Sequence, residues 1–79
     1  MKNFKLIITK IDGPVFDGEV TSVTLPGEAG EMTVLANHEP LITRLKAGAI
    51  TVSSASGAET HHVDSGVVEI ANNSVTVLL

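Results

Sequence analysis

The sequence has no cysteine, tryptophan or tyrosine, and its only aromatic side chains are Phe4 and Phe16. Without cysteine, neither a disulfide nor a thiolate zinc site can support the core of this 79-residue chain. Two phenylalanines are too few for the stacking platform that single-stranded nucleic acid requires. Burial of apolar side chains must therefore stabilise the fold, and a reducing intracellular compartment is the simplest one for the chain.

Basic residues are also few, because five Lys and Arg stand against nine Asp and Glu, for a net charge of −4. Nucleic-acid binding needs clustered Lys and Arg to contact phosphates, and the five basic residues form no run. Apolar runs are only a few residues long, whereas crossing a bilayer takes about 20 residues. The apolar segment near the N-terminus is too short for a secretory signal. We therefore expect neither a nucleic-acid partner nor insertion into a membrane.

Val, Ile and Thr are abundant, and these β-branched side chains favour strands over helices. Turn signals occur at Asp12-Gly13-Pro14, Asp17-Gly18 and Asn72-Asn73. The strands predicted from apolar alternation cover residues 4–11, 19–25, 31–35, 41–45, 49–53, 60–63, 67–70 and 74–79. No segment keeps a 3.6-residue apolar period. The prediction is a single all-β domain over residues 1–79, an antiparallel flattened barrel or β-sandwich of about eight to ten short strands.

Three histidines are the first candidates for chemistry. His61 and His62 are adjacent in a predicted strand, where they point to opposite faces and cannot easily chelate one metal ion. We expect one of them to be exposed and the other half-buried. His38 lies beside Glu39 in a predicted loop and could act as a general base, but this would need a nucleophile and an orienting partner nearby. The sequence has no cysteine, and no serine lies in a nucleophile-elbow context. No glycine lies in a phosphate-binding loop. The residues thus predict a non-catalytic module without metal or cofactor.

Glu28 and Glu31 flank Ala29-Gly30 in a predicted loop. Two carboxylates at this spacing can serve acid–base chemistry, can be simply solvated, or can face a partner. The sequence alone leaves these three interpretations open.

Six segments in order resemble the N-terminal β-sandwich domain of the epsilon subunit of F-type ATP synthase, which is called delta in mitochondria. They are FDGEVTSVTLPG at residues 16–27, GEMTVL at 30–35, HEPLIT at 38–43, LKAG at 45–48, SGVVEI at 65–70 and NSVTVL at 73–78. Each segment alone is weakly specific, but together they cover almost the whole chain. The resemblance implies a subunit of the central rotor stalk, without catalytic residues, that binds the gamma subunit and the c ring.

The resemblance also implies a task, which is to help couple rotation of the ring, driven by protons or sodium ions, to ATP synthesis. It implies a peripheral position at the cytoplasmic face of the bacterial inner membrane, held there by partners. A stand-alone β-sandwich that binds a ligand or a protein is the alternative function.

Five residues are the interface candidates that follow from the resemblance: Glu28, Gly30, Glu31, Asn37 and His38. The loop with the two glutamates resembles the stretch that faces the polar loops of the c ring. The loop of His38 is expected near the same end of the domain. Asn37 stands where the family usually has glycine, and it is expected to supply the same backbone freedom.

The gamma subunit is expected to cover one sheet face, which the sequence does not identify. Adjacent apolar residues, Ile7 with Ile8 and Val67 with Val68, are expected to be buried on both faces of the sheet, since one face enters the core and the other needs a cover. Family members commonly continue into two C-terminal helices, and the sequence ends at Leu79. If that end is natural, neither helix-based inhibition nor an ATP site is expected.

Overall fold

The computed structural model describes residues 2–79, which form nine β-strands and no helix. The strands are β1 Phe4–Lys10, β2 Gly13–Val20, β3 Ser22–Gly27, β4 Gly30–Leu35, β5 Leu41–Leu45, β6 Gly48–Ser54, β7 Gly57–Val63, β8 Gly66–Ala71 and β9 Ser74–Leu78. The all-β class predicted from the sequence is confirmed, and so is the predicted range of strand number.

The strands form two layers. One layer has the order β2-β1-β9-β8-β5, and the other has the order β4-β3-β6-β7. One residue pair, Gly27 with Leu45, joins β3 to β5 and so links the layers into one curled sheet. Every pairing is antiparallel except that of β1 with β9, which is parallel. The rest of the chain connects β1 to β9, which makes the long crossover that a parallel pair needs.

The predicted turn at Asp17-Gly18 is wrong, because β2 runs straight through both residues. Asp17 lies opposite Ile7 and Gly18 lies opposite Leu6 in the antiparallel pair with β1. Glycine often marks a turn, but an extended glycine can remain in a strand when the neighbouring strand pairs with it, as β1 does here.

The chain changes direction at Thr21 instead, between β2 and β3. The backbone N–H of Thr21 donates to the Ser53 carbonyl at 2.8 Å, and its Oγ1 donates to the same oxygen at 3.1 Å. This corner carries the chain from one layer to the other, because β2 pairs with β1 whereas β3 pairs with β4 and β6. It also explains why Val20 and Val23, at odd spacing, are both buried in the core.

Buried apolar side chains from both layers form one core. Its members are Phe4, Leu6, Ile8, Val20, Val23, Leu25, Val34, Leu45, Ile50, Val52, Val63, Val68, Ile70, Val75 and Val77. Among residues 2–79, no polar or charged side chain is buried with them. Strand alternation places one side of each strand in this core and leaves the other side on the surface.

The expectation that Val67 and Val68 are both buried is wrong for Val67, which is 37% exposed beside a fully buried Val68. Ile7 is half-buried next to the fully buried Ile8. The outer side of the five-stranded layer, which contains β1 and β8, therefore carries apolar side chains that no element of residues 2–79 fully covers.

Replacing Phe4 with alanine should remove about 3–5 kcal/mol from the free energy of unfolding, because Phe4 belongs to the buried core and its removal would leave a cavity there. Ile42, which is 69% exposed, is the control, and its replacement by alanine should change stability by about 0.5 kcal/mol or less. Urea denaturation of both variants measures the difference. Equal effects of the two substitutions would contradict the assigned core.

Candidate interaction surfaces

A tight hairpin between β3 and β4 presents Glu28 and Ala29 at its tip. Gly27 pairs with Gly30 to close the turn. A Cβ on Gly27 would lie 2.6 Å from the Gly30 carbonyl oxygen, and Gly30 has a φ of 142°, which L-residues with side chains rarely adopt. The Glu28 N–H donates to the Arg44 carbonyl at 2.9 Å and ties the tip to the end of β5.

The carboxylates of Glu28 and Glu31 are both on the surface near this tip. Glu31 is the second residue of β4 and lies opposite Pro26. Within residues 2–79, neither carboxylate has a hydrogen-bonded histidine, hydroxyl or basic side chain that would prepare it for acid–base chemistry. Two accessible anionic groups on an anchored hairpin are better suited to contacting another surface.

His38 lies at the other end of β4, so the expectation that it lies near the same end as Glu28 is wrong. Strand β4 leads away from the hairpin, and the loop after Leu35 turns back into β5. At about 3.3 Å per residue, Gly30 and Leu35 are about 16 Å apart. The structure thus brings Glu28, Gly30 and Glu31 together and leaves Asn37 and His38 in a separate group.

The Asn73 side chain clamps the loop that contains Asn37. Its Oδ1 accepts from the Asn37 N–H at 2.9 Å, and its Nδ2 donates to the Asn3 carbonyl at 3.1 Å. Asn37 has a φ of 65°, so it takes the left-handed conformation expected where the family has glycine. The exposed His38 bonds through Nδ1 with the Glu39 carbonyl at 2.7 Å.

The outer side of the five-stranded layer is partly apolar, and its apolar members are Ile7, Ile42, Val67 and Leu78. We call these four residues the outer apolar face. Val67 lies directly opposite Leu78, which is 53% exposed, and Ile42 lies on the neighbouring strand β5. Sequence reasoning did not select Leu78 or Ile42, although each is next to an inward-facing residue in an alternating strand.

Charged groups border this face on the side of β2. The Lys5 Nζ lies 2.8 Å from an Asp17 carboxylate oxygen, and this hydrogen bond and charge raise the pKa of Lys5 above its usual 10.5. Glu19 on the same strand adds to the rise. The Lys5–Asp17 ion pair thus lies at the β2 edge of this side, and Glu69 lies directly opposite Ile42 within it. Apolar and charged side chains occur together at protein interfaces.

The outer side of the four-stranded layer is mostly polar by contrast. Its central row consists of four threonines that face one another across neighbouring strands: Thr33, Thr24, Thr51 and Thr60. The Oγ1 atoms of Thr24 and Thr33 lie 3.1 Å apart. Leu35 is the exposed large apolar residue on this side. The two outer faces therefore differ in what they can bury against a partner.

His61 and His62 are the remaining candidates for catalysis or metal binding. His61 is half-buried and His62 is exposed, as the sequence predicted. The Nε2 atom of His61 lies 3.2 Å from Glu59, and its ring meets Phe16 edge-on with centroids 6.3 Å apart. Residues 2–79 contain no group of three or more metal-ligating side chains. In this range there is also no helix of the length and apolarity that a bilayer crossing requires.

A small β-sandwich with an acidic hairpin and one apolar outer face is an architecture of interaction domains. Residues 3–79 match the family described as the β-sandwich domain of the ATP synthase delta/epsilon chain, and the chain belongs to this family. The ATP synthase epsilon chain of Polaromonas naphthalenivorans (strain CJ2) is 39% identical over 79 residues. The match covers 99% of this chain and 57% of that relative.

Two solved structures share the fold. A chain of the mitochondrial ATP synthase of Euglena gracilis, solved as OSCP/F1/c-ring, matches with a TM-score of 0.89 at 24% identity. The match covers 96% of this chain and 49% of that one. A chain from the central stalk and c ring of the Tetrahymena thermophila enzyme matches with a TM-score of 0.75 at 15% identity, over 98% and 63% of the two chains.

Replacing Asn73 with alanine should loosen the loop of Asn37 and His38, since both side-chain hydrogen bonds are lost. Asn72 is a matched control, because it also has a positive φ but makes no side-chain bond within residues 2–79. We expect Asn73→Ala to lower the free energy of unfolding by about 1–2 kcal/mol more than Asn72→Ala. Urea denaturation gives the two values, and amide exchange of Asn37 reports the loop. Equal losses for the two variants would show that the clamp contributes nothing.

Proposed function

We propose that this chain is a non-catalytic rotor subunit of an F-type ATP synthase. In this function it lies in the central stalk, binds the gamma subunit and the c ring, and helps to transmit ion-driven rotation to ATP synthesis. The observation that carries the proposal is the family match over residues 3–79, together with the epsilon-chain relative.

The hairpin of β3 and β4 is the contact that we assign to the c ring. Its backbone is fixed by the pairing of Gly27 with Gly30 and by the bond from Glu28 to Arg44, so the carboxylates lie on a rigid support. Glu31 is the first candidate, followed by Glu28. Carboxylates facing basic loop residues would steer assembly and set the register of the two surfaces more than they would add affinity.

The outer apolar face is the contact that we assign to gamma. Burying Leu78, Val67 and Ile42 against a partner removes exposed apolar surface that the isolated domain leaves in water. The outer side of the four-stranded layer, which we call the threonine face after its row of four threonines, exposes only one large apolar side chain within residues 2–79, that of Leu35. Asn37 and His38 lie beside neither the hairpin tip nor its carboxylates, so any role at an interface would be a separate contact.

Association with the membrane would then be indirect. The net charge of −4 and the lack of a helical span in residues 2–79 agree with a subunit that reaches the membrane through the c ring. We assign it to the cytoplasmic face of a bacterial inner membrane, where epsilon chains would meet the polar loops of the ring.

Replacing Glu31 with lysine should weaken coupling, because it reverses the charge on the surface assigned to the c ring. In enzyme reconstituted into vesicles, ATP-driven proton pumping per ATP hydrolysed should fall by about twofold or more, as expected when like charges are juxtaposed. Glu39→Lys, in the exposed loop at the end of β4 that lies away from the hairpin, is the charge-matched control. Full pumping and assembly with Glu31→Lys would remove this residue from the ring contact.

Replacing Leu78 with lysine should weaken binding to the isolated gamma subunit by about tenfold or more, since a charge would have to be desolvated within an apolar contact. Leu35→Lys is the matched control, because Leu35 is similarly exposed at 59% but lies on the threonine face. Titration calorimetry measures both affinities. Stronger damage from Leu35→Lys would move gamma to the other layer.

A further inference from the structure

The two strands that end the curled sheet, β2 and β7, lie on the same side of the domain without pairing. Within residues 2–79, β2 pairs with β1 alone and β7 pairs with β6 alone. Each strand therefore has one free edge of backbone N–H and C=O groups. Such an edge can accept an extended segment of another chain as an added strand.

A groove of about 310 Å³ separates these edges. Phe16, Gly18 and Glu19 line it from β2, whereas Ser54, Gly57 and Glu59 line it from the hairpin of β6 and β7. The two glycines leave the space open. A Cβ on Gly18 would touch only the Phe16 ring, at 3.6 Å, and a Cβ on Gly57 would meet nothing within 4 Å.

The chemistry of the groove favours a cationic side chain. Its rim carries the exposed carboxylate of Glu59, and its lining residues include no Lys or Arg. The nearest basic groups lie outside, with Lys5 opposite Glu19 and the His61 Nε2 3.2 Å from Glu59. The half-buried Phe16 ring offers a face for a cation–π contact, and Ser54 offers a hydroxyl.

We propose that the groove between β2 and β7 binds an extended polypeptide segment that places an Arg or Lys side chain in the groove, beside Glu59. The backbone of the segment pairs with a free strand edge, and its cationic side chain fills the space that Gly18 and Gly57 leave. This site is separate from the hairpin of β3 and β4 and from the outer apolar face, and it does not depend on the rotor assignment.

A peptide titration followed by NMR tests this site on the isotope-labelled 79-residue chain. The probe is acetyl-Thr-Val-Arg-Val-Thr-amide, and the matched control peptide has Glu in place of Arg. We expect amide shifts confined to β2, β6 and β7, with the Arg peptide binding about tenfold more tightly than the Glu peptide. Shifts centred on β4 or β5, equal binding of both peptides, or no binding of the Arg peptide would overturn the proposal.

Two further variants connect the binding to the groove itself. Gly18 lies in strand β2 without a positive φ, so valine can replace it there and would fill the groove. Gly18→Val should therefore weaken binding of the Arg peptide by about tenfold. Glu59→Gln removes the rim charge with little change in shape and should weaken binding by about threefold. Glu69→Gln, on β8 and outside the groove lining, should leave binding unchanged. Unchanged affinity in both Gly18→Val and Glu59→Gln would exclude the groove as the binding site.

Discussion

The burial of one apolar core between two sheet layers is the constraint on which the other features of this domain depend. A chain of 79 residues without cysteine has few other sources of stability, and its margin is correspondingly narrow. Strand alternation commits every second side chain to the core, so the residues between them are free to serve other purposes. The surfaces that can meet partners are therefore the two outer faces, the free edges and the turns.

The core also decides how rigidly these surfaces are held. The hairpin of β3 and β4 begins beside the buried Leu25 and is tied to β5, which places its glutamates on a fixed support. The outer apolar face is the reverse side of strands whose inward residues are fully packed. The rotor function that we propose needs this kind of stiffness, because a flexible contact would absorb displacement instead of passing it on.

Much of this architecture could be predicted from local sequence patterns. Alternation in residues 74–79 placed Val75 and Val77 inside, and the Asn72-Asn73 turn adopts the positive φ values that asparagine tolerates. The corner at Thr21 could not be predicted, because it depends on a bond to Ser53 in a strand that is distant in sequence. The parallel pair of β1 and β9 is likewise a tertiary feature. The separation of His38 from Glu28 follows from the direction of β4, which a loop motif does not reveal.

Recovery of the tagged chain from its native membranes is the most direct measurement of the central claim, that this sandwich works as a rotor-stalk subunit. After mild detergent extraction and mass spectrometry, we expect the gamma subunit, the c ring and the catalytic head to be recovered in fixed stoichiometry with the chain. Recovery of the chain alone, or with soluble proteins only, would contradict the claim and favour a stand-alone binding module.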